Sequence, residues 1–117
     1  MKRVHTVDEY NRLLAENPLV LSYVTGIDCG MCDAVKPKVV DMLQRISADI
    51  AEKAGDLQVL AVEIDAHTDQ ELAAQLSVFT LPAILFSVDG RELVREARYF
   101  SIGELEGRIQ RYVQLYV

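Results

Sequence analysis

Two cysteines stand two residues apart, as Cys29-Gly30-Met31-Cys32, and they are the only cysteines in the chain. A pair at this spacing can close a disulfide within one turn of chain. An apolar, β-prone run precedes it, Leu19 to Val24, and a helical pattern follows, so the dithiol falls at a strand-to-helix junction. The reactive form of a cysteine is the thiolate, which the start of a helix favours. The chemistry implied is thiol–disulfide exchange. Cys29, at the helix end, is the candidate nucleophile. Cys32, further into the helix and expected to be less exposed, is the candidate resolving thiol. Asp28 works against the thiolate, because a neighbouring carboxylate disfavours it.

Other chemistry-bearing residues are sparse. His5 and His67 are read as isolated, solvated side chains. Asp65, Asp69 and Glu71 are read as a solvated loop and helix cap. A zinc site needs four ligands, and a second CxxC is absent. No metal and no cofactor is therefore expected.

The chain has 117 residues, half of them hydrophobic, and a formal net charge of −6. Its size fits one domain over residues 1–117. The acidic balance argues against a nucleic-acid partner. No apolar segment approaches the roughly 18 residues of a membrane span. Met1 to Thr6 carries two basic residues with no apolar stretch behind it, which does not resemble a signal peptide. A cytoplasmic location is expected, where retained cysteines are more often catalytic or metal-binding than structural.

The elements that must position the dithiol can be read in order. Thr6-Val-Asp-Glu9 is a capping-box pattern, and Val7, Tyr10, Leu13 and Leu14 continue at helical spacing to Asn17-Pro18. After the cysteines, Val35, Val39, Leu43, Ile46 and Ile50 make an apolar helical stripe that Ala54-Gly55-Asp56 ends. Pro37 lies inside this helix, removes one amide donor and is expected to kink it. Leu57 to Ile64 reads as a second strand, and Thr68-Asp-Gln-Glu71 as a capping box opening a short helix. Ala83 to Val88 reads as a third strand. Asp89-Gly90 is a hairpin turn, which makes Glu92 to Arg98 an antiparallel fourth strand. Ser101-Ile-Gly-Glu104 caps a last helix with Leu105, Ile109, Tyr112, Val113 and Tyr116 on its apolar face. A short strand at Arg3 to His5 completes the list. Strands joined through helices are expected to pair in parallel, with the terminal hairpin adding an antiparallel edge.

In this order of elements the chain resembles a thioredoxin. The residues that carry the resemblance are Cys29-Gly-Met-Cys32, Pro37 five residues later, Ile64-Asp65 ending a strand, Thr80-Leu81-Pro82 before another, and Asp89-Gly90 in the hairpin. The resemblance implies an α/β thioredoxin fold, three layers α/β/α, with a central mixed sheet of four to five strands and four helices. It implies that Pro82 is cis and faces the dithiol, and that Gly30, Met31, Leu81 and Pro82 line the substrate site. It also implies protein disulfides as substrates, a disulfide reductase as partner, and action as a monomer. The chain departs from the family pattern at the site. Asp28 stands where the family usually has Trp, and Gly30-Met31 where it has Gly-Pro. Tyr23 aligns with the family's buried Asp, Ala61 with that residue's Lys partner, and Arg98 with a groove Gly.

The function expected from all this is a thiol–disulfide oxidoreductase that reduces or exchanges protein disulfides through Cys29 and Cys32. The competing expectation is a thioredoxin-fold binding module whose dithiol is regulatory or vestigial.

Overall fold

The computed structural model describes all residues from Met1 to Val117. Its elements run β1 (Lys2–Arg3), α1 (Val7–Glu16), β2 (Leu19–Thr25), α2 (Gly30–Ala54), β3 (Val59–Asp65), α3 (Gln70–Gln75), β4 (Ala83–Val88), β5 (Arg91–Ala97) and α4 (Ile102–Tyr116). The five strands form one sheet in the order β1-β3-β2-β4-β5.

Alternation along β2 divides the core in two. Leu19, Leu21 and Tyr23 point to the face covered by α2 and α4, where Val39, Met42, Ile46, Ile50, Leu105, Ile109 and Val113 pack. Val20 and Val24 point to the other face, toward Tyr10 and Leu13 of α1 and Leu72 of α3. A strand covered on both faces reads as an unbroken apolar run, as β2 does. One polar residue interrupts it: Ser22 is buried, and its Oγ lies 2.8 Å from the Tyr10 hydroxyl.

The expected pairing needs one correction. β2 and β3 are parallel, as are β1 and β3, but β4 runs antiparallel to β2 although a helix precedes it. The reason is length. A parallel return requires a crossover about as long as the strand, roughly 20 Å for six or seven residues. The six residues of α3 span only about 9 Å. The chain therefore enters β4 at the end of the sheet where β3 stopped, on the free edge of β2.

The helix ends follow local chemistry. Thr6 Oγ1 accepts the Glu9 amide, and Ser101 Oγ accepts the Glu104 amide. The Glu9 carboxylate accepts the His5 amide, one residue before the position a capping box predicts. The expected Thr68 cap does not form. Asp69 is the N-cap of α3 without a side-chain bond, and Asp65 Oδ1 accepts the amides of His67 and Thr68 instead. A carboxylate closing the turn after its own strand has taken the donor that the box would use. His5 is not isolated, since its Nδ1 lies 2.8 Å from the Asp69 carboxylate. The stripe on α2 is also rotated from the expected one: Met42, not Leu43, is fully buried. Val39, Met42, Ile46 and Ile50 are spaced by three, four and four, which keeps one line against the sheet.

The final hairpin turns through Asp89 and Gly90, both with positive φ, as a tight type I′ connection requires. β5 spans Arg91–Ala97 and stops before Arg98, where φ is +63°.

Candidate functional site

Register alone brings three chain segments together. Val24 near the end of β2 pairs with Ala83 at the start of β4, and Ala83 pairs with Ala97 at the end of β5. Residues 26–32, 79–82 and 98–100 therefore meet at one end of the sheet. The Leu81-Pro82 bond is cis. Gly26 has no side chain because Leu81 occupies that space: a Cβ there would lie 2.7 Å from Leu81 Cδ1. That contact seats Leu81 against the loop leading to the dithiol. On its other side, the Pro82 carbonyl accepts the Arg98 amide at 2.7 Å.

Cys29 and Cys32 are joined in a disulfide, with Cα atoms 5.2 Å apart. Cys29 is the N-cap of α2, and its Sγ accepts the Cys32 amide at 3.1 Å. Cys29 is partly exposed, whereas Cys32 is buried. This is the asymmetry expected of an attacking and a resolving sulfur. Beneath them lies Tyr23, fully buried on β2, whose hydroxyl donates to the Cys32 carbonyl at 2.5 Å. Burial pushes the Tyr23 hydroxyl up to about 12, and the carboxylates of Glu63 and Asp33 push the same way. Tyr23 is therefore a hydrogen-bond donor here and not a proton acceptor at neutral pH.

Glu63 is the Cα partner of Tyr23 on β3 and is buried. Its carboxylate meets Lys36 of α2 at 2.6 Å and Arg3 of β1 at 3.0 Å. A carboxylate removed from water needs such partners. The pair also ties the second turn of α2 across to β3.

Apolar surface gathers at the same end. Ile27, Phe79 and Tyr99 are 58%, 83% and 73% exposed, and each belongs to or adjoins one of the three segments. Arg95 fixes the segment before the cis bond from behind. Its guanidinium donates to the carbonyls of Leu76 and Ser77 and to the Glu92 carboxylate.

A strand–dithiol–helix junction seated against a cis-Pro loop on this sheet order is the decisive arrangement. The thioredoxin family model matches residues 2–111. The chain belongs to the thioredoxin family. Thioredoxin-like protein YdfQ of Bacillus subtilis is 27% identical over 99% of this chain and 95% of its own length. Thioredoxin H8 of Arabidopsis thaliana is 30% identical over 89% of this chain and 63% of its own length. Among solved structures, Fasciola hepatica thioredoxin superimposes with a TM-score of 0.74 at 26% identity, covering 95% of this chain and 98% of that one. Family membership and the disulfide-bonded pair support thiol–disulfide exchange as the general chemistry. No helix is long and apolar enough to cross a membrane.

Of the residues expected at this thioredoxin-family site, Cys29, Cys32, Leu81 and Pro82 are brought together. Gly30 is exposed and Met31 partly exposed in the first turn of α2, while Leu81 is partly buried and Pro82 buried. Pro37 lies within a helix assigned without interruption from Gly30 to Ala54. Sequence reasoning missed Glu63. The signal was a lone carboxylate inside the apolar run Val62-Glu63-Ile64, a pattern that asks for a cationic partner. Ala61 faces Leu21 across the strands and takes no part.

Proposed function

We propose that this protein reduces or exchanges disulfides of protein substrates through Cys29 and Cys32. The observation that supports this most directly is the unequal pair at the start of α2: a partly exposed Cys29 sulfur receiving the Cys32 amide, above a buried Cys32. In the reduced protein the same amide and the helix start favour negative charge on Cys29. The Cys29 thiolate attacks one sulfur of a substrate disulfide, breaks the S–S bond and expels a substrate thiolate, which takes up a proton. Cys32 loses its proton and attacks Cys29 Sγ, releasing the second substrate thiol and forming the Cys29–Cys32 disulfide. Two electrons pass to the substrate, and a disulfide reductase supplies two more to reduce the Cys29–Cys32 disulfide back to the dithiol. No bound cofactor enters these steps.

Leu81 gives the substrate a place to lie. Its amide and carbonyl take no backbone hydrogen bond within the chain, so an extended segment can pair with them alongside Cys29. Gly30 and Met31 form the opposite wall. In this reading the protein works as a monomer in a reducing compartment such as the cytoplasm, where retained cysteines are more often catalytic than structural.

The test is disulfide reduction by the wild type, Cys29→Ser and Cys32→Ser. Loss of turnover in both variants, with mixed disulfides accumulating only on Cys32→Ser, supports the reading. Equal activity in wild type and Cys29→Ser overturns it. A binding module with an idle dithiol is favoured by one observation, the tyrosine under Cys32 in place of a carboxylate. Under that reading, the trapping variant captures no partner through a disulfide.

A further inference from the structure

Four non-glycine residues have positive φ: Asp28, Ser77, Asp89 and Arg98. Asp tolerates this region because its short side chain bonds locally, and Ser77 sits in the loop that Arg95 holds. Arg98 has no such local device. Glycine would adopt φ +63° without strain, so an arginine held here points to a use for its side chain.

The surroundings indicate the use. Arg98 is exposed, forms none of the chain's ion pairs, and holds its guanidinium 5.2 Å from the centre of the Tyr99 ring. Its amide is bonded to the Pro82 carbonyl, which places its backbone next to the cis loop. Within the three segments at this end it is the sole cation, while Asp28 is the carboxylate beside Cys29. A chain lying along Leu81 would have Asp28 on the dithiol side and Arg98 on the β5 side.

We propose that Arg98, stacked on Tyr99, is a specificity-determining residue that selects disulfide substrates carrying a carboxylate on the β5 side of the reacting cysteine. This rests on the reading of the dithiol as a site of disulfide exchange. Stacking limits the freedom of the guanidinium, and Tyr99 and Phe79 give the flanking residues apolar surface. A carboxylate on the other side meets Asp28 and is repelled.

The test uses peptides with one disulfide that differ only in Glu or Gln within two residues of the reacting cysteine, and unreactive copies with Ser for Cys. Wild type is expected to prefer Glu over Gln by about three- to fivefold in kcat/KM and in Kd at low salt, the range for an exposed ion pair. The preference should fade near 0.5 M salt, where screening shortens to about 4 Å. Arg98→Gly, which suits the backbone, should bring the ratio to one, and Arg98→Lys should keep part of it. The same Glu:Gln ratio in wild type and Arg98→Gly overturns the proposal. Turnover without a Glu preference overturns it too, and leaves the oxidoreductase reading standing. Glu-selective binding that Arg98→Gly abolishes, with no turnover of any peptide, overturns the oxidoreductase reading and with it the selection of disulfide substrates, leaving Arg98 as a carboxylate-binding residue only.

Discussion

The hydroxyl of Tyr23 donates to the carbonyl oxygen of Cys32 at 2.5 Å, joining the central strand β2 to the first turn of the dithiol helix. The bond holds Cys32 through its backbone carbonyl and makes no contact with its sulfur. Tyr23→Phe removes it without changing the shape of the core. Loss of about 1 kcal/mol is expected in chemical unfolding of the oxidised protein. The pH profile of turnover between roughly 6 and 9 should stay unshifted, because the hydroxyl remains protonated across that range. A shift of the profile in Tyr23→Phe would make the tyrosine part of the proton transfer.

Alkaline stability follows from the same residue. The Tyr23 hydroxyl titrates at about 12 in the folded protein, above its ordinary value of 10.0. A raised value means that the folded state resists ionisation. The contribution is complete below pH 10, declines as pH rises, and is lost once pH passes about 12. Unfolding midpoints measured from pH 9 to 12 should fall for the wild type and fall less steeply for Tyr23→Phe.

Asp65 acts at the opposite end of the pH scale. Burial pushes its carboxyl up, but the amides of Thr68 and His67 and the Arg3 guanidinium outweigh that and hold it below the usual 3.8. Its contribution is present above that value and is lost as pH falls through the lower folded one. Asp65→Asn should cost on the order of 0.5 kcal/mol at neutral pH, because water screens the group. The stability gap between the two proteins should narrow as pH falls below the usual 3.8.

Gly26→Ala tests the seat of Leu81. The new Cβ would meet Leu81 Cδ1 at 2.7 Å, and the end of a leucine side chain can move aside. Stability should change by less than about 1 kcal/mol. KM for disulfide substrates should rise severalfold while the trapping chemistry at Cys29 persists. An unchanged KM would remove Leu81 from the substrate wall.

The buried line on α2 gives a packing test. Met42→Ala should cost about 2–5 kcal/mol, and Leu43→Ala, on the flank, about half as much. Thermal or denaturant unfolding of the two variants checks the order.

Much of this was legible in the sequence. The strand Ala83–Val88 and the start of the last helix follow from short-range signals, a buried apolar run and a Ser-x-x-Glu cap. The dithiol was legible from its spacing at a strand-to-helix junction, whereas Leu81 and Pro82 joined it only through the resemblance to thioredoxins. Leu43 and Met42 are adjacent and both apolar, so helical spacing alone does not decide which faces the sheet. The reversal of β4 was hidden because chain direction depends on crossover length, which a capping pattern does not encode. Thr68 satisfied a local rule, yet Asp65 took its amide from the preceding strand. Glu63 and its partners Arg3 and Lys36 lie on three elements, and only the assembled sheet unites them.

The Asp89-Gly90 hairpin also has a practical side. Both residues are exposed, and Val88 just before them pairs with Leu19, the first residue of β2, so the turn lies a full strand length from the dithiol, roughly 20 Å. A fluorophore, affinity handle or surface tether attached there would leave the reactive end facing outward. The molecule thus carries its own mounting point for immobilised trapping of disulfide partners.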